Sequence, residues 1–216
     1  MSVASRLRDV RDRIERACGS VGRDPSAVTL VAVTKTVHVV RIQEAYDLGV
    51  RDFGENRLQE ALPKIADLPP DVRWHFVGVL QSNKAKAVAS SFHAIHTLER
   101  PTQLVQIEKA ARIVDCLVEV NVAREPQKAG VLPENLDKSV LLVQQCVNVR
   151  FRGLMAMGQL SSDPEENRPH FRQVSELGKR FGAEWLSMGM SADLEVAIQE
   201  GSTHVRVGTA IFGERD

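Results

Sequence analysis

The run "VTLVAVTKTVHVVRIQEAYDLG" (residues 28–49) contains a strand, a turn and a helix in that order. Its first seven residues are apolar or β-branched, the composition of a buried strand. From Val39 onward the apolar period changes to that of a helix, and Gly49 stands where a helix closes on a glycine cap. Between the two lies Lys35, an ammonium at the end of a buried strand.

The unit recurs. Strand-like runs "VRDFGE" (50–55), "RWHFVG" (73–78), "HAIHTLE" (93–99), "CLVEVNV" (116–122), "VRFRGLMAM" (149–157), "EWLSMG" (184–189) and "HVRVG" (204–208) follow the first. Helices are expected between them: at 56–68 despite Pro63, at 81–91, from Pro101 to Val114, at 134–147, at 164–181 and at 191–201. A short apolar helix follows Gly208. Ahead of the first unit, Leu7, Val10, Ile14, Ala17 and Val21 recur at spacings of three and four, which predicts an extra N-terminal amphipathic helix. Strands alternating with helices require parallel strands joined by crossovers. Eight such units in 216 residues predict one compact (β/α)8 TIM barrel over 1–216, with an open doubly wound sheet as the alternative.

Composition narrows the function. Lys plus Arg and Asp plus Glu are 28 each, and aromatics are 5%. A general nucleic-acid binder carries a basic excess to neutralise phosphates, so that class is set aside. The N-terminus has no apolar central run, hence no signal peptide, and no stretch approaches the roughly 20 apolar residues of a membrane span. Cys18, Cys116 and Cys146 are odd in number and lack a Cys-x-x-Cys pair, against a disulfide framework or cysteine zinc site. A soluble, cytoplasmic protein is expected. With no long exposed apolar stripe evident, it is expected to be a monomer.

A barrel carries its chemistry at the C-terminal ends of its strands. Lys35 lies there. Desolvation would lower its pKa and free the amine to attack carbonyls; alternatively it snorkels to water. "SMGMSADLE" (187–195) puts Ser191 at a helix start after strand seven, and "GSTHVRVGTAIFG" (201–213) puts Gly208 and Thr209 directly after strand eight. Amides at helix starts bind anions, and these two loops are where barrels commonly hold phosphate. The plainer readings are a helix N-cap for Ser191 and a simple turn for Gly208. No P-loop or G-x-G-x-x-G occurs. Arg206 shares a face with Gly208 and needs an acceptor, either a carboxylate such as Glu119 or a pyridine nitrogen. Glu119 and Asn121 share the face of their strand that should point into the barrel.

Together "AVTKT", "FGENRLQE", "WHFVGVLQSNK", "RGLMAM", "SMGMSADLEVAI" and "GSTHVRVGTAIFG" strongly resemble the pyridoxal-phosphate homeostasis family, over almost the whole chain to Gly213. That family is similar to the barrel domain of alanine racemase without its second domain. The resemblance implies that Lys35 forms an aldimine with pyridoxal 5'-phosphate and that Arg206 faces the pyridine nitrogen. It implies that Ser191, Gly208 and Thr209 surround the phosphate, with Asn56 near the cofactor and Ser187 and the backbone around Met190 as weaker additions. Lys128 matches a family lysine and could act as a second amine. Two departures stand out: Val37 replaces a second lysine of some members, and "GERD" lacks the basic tail of some relatives.

An arginine donating to the ring nitrogen leaves a poorer electron sink, so the expected role is holding and exchanging the cofactor in vitamin B6 homeostasis, with little or no amino-acid turnover. Apo-enzymes that need the cofactor are the expected partners. The alternatives are a single-domain racemase and a Schiff-base aldolase acting on a phosphorylated sugar. His93 and His96 sit on opposite faces of a strand, against a metal pair, and no metal is expected. His75 is read as a satisfied core histidine. Glu55, Glu60 and Asp193 are candidate acid–base groups, with Glu60 better read as a solvated helix face and Asp193 as a charge in a helix's first turn.

Overall fold

In a computed structural model, residues 2–213 are described. The eight runs form strands β1 (Thr29–Val33), β2 (Asp52–Glu55), β3 (Arg73–Phe76), β4 (Ala94–Leu98), β5 (Val114–Glu119), β6 (Val149–Met155), β7 (Trp185–Ser187) and β8 (His204–Val207). Each pairs in parallel with the next, and β8 pairs with β1, Val31 opposite Arg206, so the sheet closes. Closure removes the doubly wound alternative. Helix α1 (Val3–Gly19) precedes the barrel. Helices α2 (Val39–Asp47), α3 (Leu58–Asp67), α4 (Ala85–Ser91), α5 (Pro101–Ile107), α6 (Leu136–Gln144), α7 (Arg168–Phe181) and α8 (Leu194–Gln199) are the crossovers, and α9 (Thr209–Phe212) follows β8.

Alternation along the strands separates two environments. Residues such as Ala32, Phe53, Trp74, Ile95, Cys116, Val118, Leu154 and Val205 face the helices and join one continuous apolar core with Leu7, Ile42, Phe92, Ile107, Leu136 and Phe171. Each fully buried Leu, Ile or Phe there contributes roughly 1.5–3 kcal/mol. The opposite face of the same strands lines the barrel's interior. Asp52, His75, His96, Ser187, His204 and Arg206 are buried there, with Val31, Ala94, Leu117 and Met155. Barrels of this type usually fill that space with branched apolar layers; this one fills much of it with hydrogen-bonding groups.

Several boundaries differ from expectation, each with a local cause. Helix α1 stops at Gly19, so Val21 lies past its end and is 45% exposed. Helix α5 ends at Ile107 and β5 begins at Val114, two residues before Cys116. Beyond Glu119 only Val120 pairs, with Val131, so β5 gives way to a loop and Asn121 leaves the wall. Asn56 also sits in a loop, because α3 starts at Leu58. Pro63 is accommodated inside α3. Helix α8 starts three residues after Ser191, with Asp193 at its N-cap position. Among the described residues no helix is long and apolar enough to cross a membrane, and no group of three or more His, Cys, Asp or Glu side chains could hold a metal ion. Of the "GERD" run, residues 214–216 lie outside the described residues.

Candidate functional site

Lys35 stands two residues past β1 on the C-terminal mouth. The residue before it is held firmly. Thr34 is fully buried and donates through Oγ1 to Glu55 Oε1 at 2.6 Å. Lys64 donates to the same oxygen at 2.6 Å and to the Thr34 carbonyl at 2.8 Å. Glu55, a candidate acid–base group from the sequence, is thus committed to pinning the end of β1. The residue after the lysine is strained: Thr36 has φ 62°, a left-handed conformation that β-branched residues rarely adopt. Such a residue costs on the order of 1–3 kcal/mol and persists only where its surroundings impose it. Here the strain lies directly beside the lysine.

A cavity of ≈200 Å³ opens at this point, lined by Lys35, Thr36, His38, Arg41, Gly208 and Thr209 among others. The amine and the loop after β8 therefore share one space. At Gly208 a Cβ would come within 3.2 Å of the Val33 carbonyl, so glycine lets the two strand ends approach. Ser191 joins from the loop after β7. Its Oγ lies 3.2 Å from Thr209 Oγ1 and 3.4 Å from the Ala210 amide. Two hydroxyls and an amide converge, a donor cluster suited to an anion.

Helix α1 holds that loop, a contribution the sequence reading missed. Arg13 donates to the Ser191 carbonyl at 2.9 Å and grips Glu195 with two bonds of 2.5 and 2.7 Å. No signal in the sequence separates Arg13 from the other arginines on that helix. Met190 precedes Ser191 in the same turn. Its amide donates to Asp193 Oδ1 at 2.7 Å, so it is engaged within its own turn, and the residue is 38% exposed. Asp193 also accepts from Asn167 Nδ2 at 3.0 Å, which makes it a clamp on the loop.

In the loop after β2, Asn56 Oδ1 is buried with no hydrogen-bond partner among the described residues, and Asn56 lines a groove separate from the Lys35 cavity. A buried acceptor without a donor is costly, and a ligand donor would satisfy it. Its backbone packs so closely on Gly78 that a Cβ there would lie 2.2 Å from the Asn56 carbonyl.

Arg206 is buried in the interior. It donates through Nη1 to the Ser187 carbonyl at 2.7 Å and to Ser187 Oγ at 2.5 Å, and through Nη2 to the Ala156 carbonyl at 3.1 Å. Burial pushes its pKa down to about 10, so it remains a cation at neutral pH. Glu119 forms no ion pair with it among the described residues. Burial and then the charge of Glu99 push the Glu119 carboxyl up to about 7, against the pull of Arg206. Of the two partners the sequence left open, the carboxylate is not engaged, and Ser187 and the Ala156 carbonyl accept from the arginine.

Asn121 does not point into the barrel. Its amide ties the loop after β5, donating to the Glu125 carbonyl at 2.8 Å and accepting from the Glu125 amide at 3.2 Å. Lys128 on that loop donates to the Gly158 carbonyl at 3.0 Å and pairs with Glu125 at 2.5 Å. Glu60 pairs with Arg57 on the surface of α3. His96 is fully buried, whereas the side chain of His93 is 42% exposed. His75 lies in the barrel interior with both ring nitrogens hydrogen-bonded.

The lysine and the donors beside it are the groups that a phosphorylated aldehyde needs, an amine for the carbonyl and convergent donors for the phosphate, while Arg206 and Asn56 lie outside the lining of that cavity. The alanine racemase N-terminal domain model matches residues 6–216. The chain is 42% identical to the pyridoxal phosphate homeostasis protein of Aquifex aeolicus, covering 100% of this chain and 99% of that one. It is also 42% identical to the pyridoxal phosphate homeostasis protein of Pseudomonas aeruginosa, covering 100% and 96%. The solved structure of PipY from Synechococcus elongatus with PLP bound superposes with a TM-score of 0.84 at 33% identity, covering 98% of this chain and 100% of that one.

Proposed function

The chain belongs to the pyridoxal phosphate homeostasis proteins of the alanine racemase N-terminal-domain family, and from that premise we propose how its own residues serve the role. As one barrel domain, it holds pyridoxal 5'-phosphate and takes part in intracellular vitamin B6 homeostasis. Lys35 is the covalent attachment point. Ser191, Thr209 and the Ala210 amide receive the phosphate, Gly208 gives it room, and Asn56 meets the ring near the amine. Ser187 acts through Arg206. The observation that carries this assignment is the shared cavity: Lys35, Gly208 and Thr209 line one space, with Ser191 Oγ beside Thr209.

When bound, the cofactor supplies an aldehyde that amines capture reversibly and a ring that can withdraw electrons. The protein limits the second property. Arg206 only donates, so it favours an unprotonated ring nitrogen, the weaker electron sink. A site of this kind stores the aldehyde away from stray amines and releases it to a competing amine, with little turnover of amino acids. Apo-enzymes in the same cytoplasm are the recipients, and the chain acts as a monomer.

The test is the visible absorption of the purified chain beside Lys35→Ala, before and after adding pyridoxal phosphate. A band present in the wild type and absent from the variant is expected. A wild type that stays colourless with added cofactor would overturn the assignment. Racemisation of an enantiopure amino acid at an enzymatic rate, lost with Lys35→Ala, would overturn the storage role.

A further inference from the structure

Behind Ser187 the barrel interior holds an unbroken file of hydrogen bonds. Ser187 Oγ lies 2.8 Å from His96 Nδ1, and His96 Nε2 lies 2.9 Å from His75 Nδ1. His75 Nε2 lies 2.9 Å from Asp52 Oδ1. Asp52 in turn accepts two bonds from Arg73, at 2.8 and 2.5 Å. The file begins at Arg206 below the mouth and ends in a groove of ≈430 Å³ lined by Asp52 and Arg73 among others. The groove holds none of the mouth residues. Four strands, β2, β3, β4 and β7, each supply one member between the two arginines.

The direction of every bond follows from the inventory of donors and acceptors. Asp52 is ionised: burial pushes its carboxyl up, but hydrogen bonds from Arg73 and His75 outweigh that and hold it below the usual carboxylate range. It therefore accepts, and His75 carries its proton on Nε2. His75 Nδ1 is then an acceptor, so His96 donates from its own Nε2. His96 Nδ1 accepts in turn from the Ser187 hydroxyl, whose oxygen accepts from Arg206 Nη1. A second proton on His75 would reverse the two bonds above it. The Ser187 hydroxyl would then face donors on both sides, with no acceptor for its own hydrogen among the described residues. Asp52, Arg73, His93, His96 and His204 are the titratable groups around His75, and His204 bonds sideways to Thr203 instead of entering the file.

We propose that Asp52, His75, His96 and Ser187 are positioning residues that form a one-directional hydrogen-bond relay. The relay holds Arg206, which can only donate, in place toward the cofactor ring. The anion at the far end orients each dipole, so the electron demand at the mouth is set from the opposite end of the barrel. Hydrogen bonds aligned head to tail polarise one another, which a buried, low-dielectric interior favours. No proton needs to travel; the relay acts through orientation. The inference deepens the proposed function and rests on it only where it concerns the bound ring.

The experiment is nitrogen-15 NMR of the histidine rings in the chain before pyridoxal phosphate is added, followed by absorption spectra after it. In the wild type both His75 and His96 should carry the proton on Nε2 alone. Asp52→Asn should convert His96 to a tautomer mixture although the two residues do not touch. The same variant should shift the pH at which the visible band changes and weaken cofactor retention roughly tenfold. Ser187→Ala, which removes one hydroxyl, guards against a variant that fails to fold and should give the same spectral shift. The double variant should lose less than the sum of the two, whereas separated sites that share no partner add. His96 protonated on Nδ1 in the wild type, or unmoved by Asp52→Asn, would overturn the relay. A colourless wild type with both Nε2 protons in place would support the relay in the protein and overturn the cofactor reading instead.

Discussion

The two faces of the barrel wall are built from the same strands, one residue apart, yet they obey different chemistry. Facing the helices, Phe53, Ile95, Val118 and Val205 belong to one buried apolar core where shape decides the energy. Facing inward, one position away, Asp52, His96, Glu119 and Arg206 are buried among partners that must match in charge and direction. Neither face stands in for the other. The outer face holds the fold together, and the inner face gives up apolar packing to hold a cation and its supports beneath the mouth.

Cutting deepest into that contrast should be Phe53→Ala. It empties a fully buried site on the outer face and should cost about 3–5 kcal/mol in urea unfolding. A loss well under that range would mean the outer shell can collapse around the void and is less rigid than its packing implies.

Acid probes the inner face by itself. Burial, then repulsion from His75, holds His204 down to about 3 and His96 well below 6.5. An unfolded chain protonates both near 6.5 and the native chain refuses the protons. Stability should therefore fall as pH drops below about 6.5, by roughly 1.4 kcal/mol per pH unit for each histidine. Glu119 has the opposite sign. It stays protonated up to about 7 in the native chain but ionises from 4.5 when unfolded, so it removes stability as pH rises between those values. Glu119→Gln deletes that opposing slope. Urea midpoints between pH 4.5 and 7 should climb more steeply in the variant, and parallel curves would mean Glu119 ionises normally inside the barrel.

Smaller effects are expected at the rim. Thr36→Gly relieves the left-handed strain after Lys35 and should raise stability by about 1 kcal/mol in thermal unfolding, while letting the lysine move. A loss of stability would show that contacts of the threonine side chain outweigh its backbone cost. Smallest of all, removing the exposed Arg180–Asp137 pair on the outer surface should change stability by less than about 1 kcal/mol.

The outer face is the part the sequence makes legible. Apolar periods of two and of three to four residues need no distant partner to be recognised, so all eight strands follow from them, while the pairing of β8 with β1 decides between a barrel and an open sheet. Lys35, Gly208 and Arg206 are legible for a related reason: each is an unusual residue at a strand end or inside a strand. The inner face resists that reading because its bonds run between strands. Alternation places Asp52, His75 and His96 on one side of three separate strands, but only the barrel's register brings them within 3 Å. Glu119 was the natural partner for Arg206 on charge alone, and Ser187 took the place because β7 and β8 are adjacent. Asn121 left the wall for the same kind of reason, a bridge from Val120 to Val131 that ends the strand early.

The chain's two tryptophans divide between the two environments. Trp74 packs against Phe53 at 5.9 Å on the helix side of the wall, and Trp185 lies against His204 at 4.5 Å within. The molecule thus carries a built-in fluorophore for each face. With Trp74→Phe, emission reports on the polar interior through Trp185 and its imidazole neighbour. With Trp185→Phe, it reports on the packed shell. Melting the two variants side by side asks whether the barrel's lining loosens before its casing does.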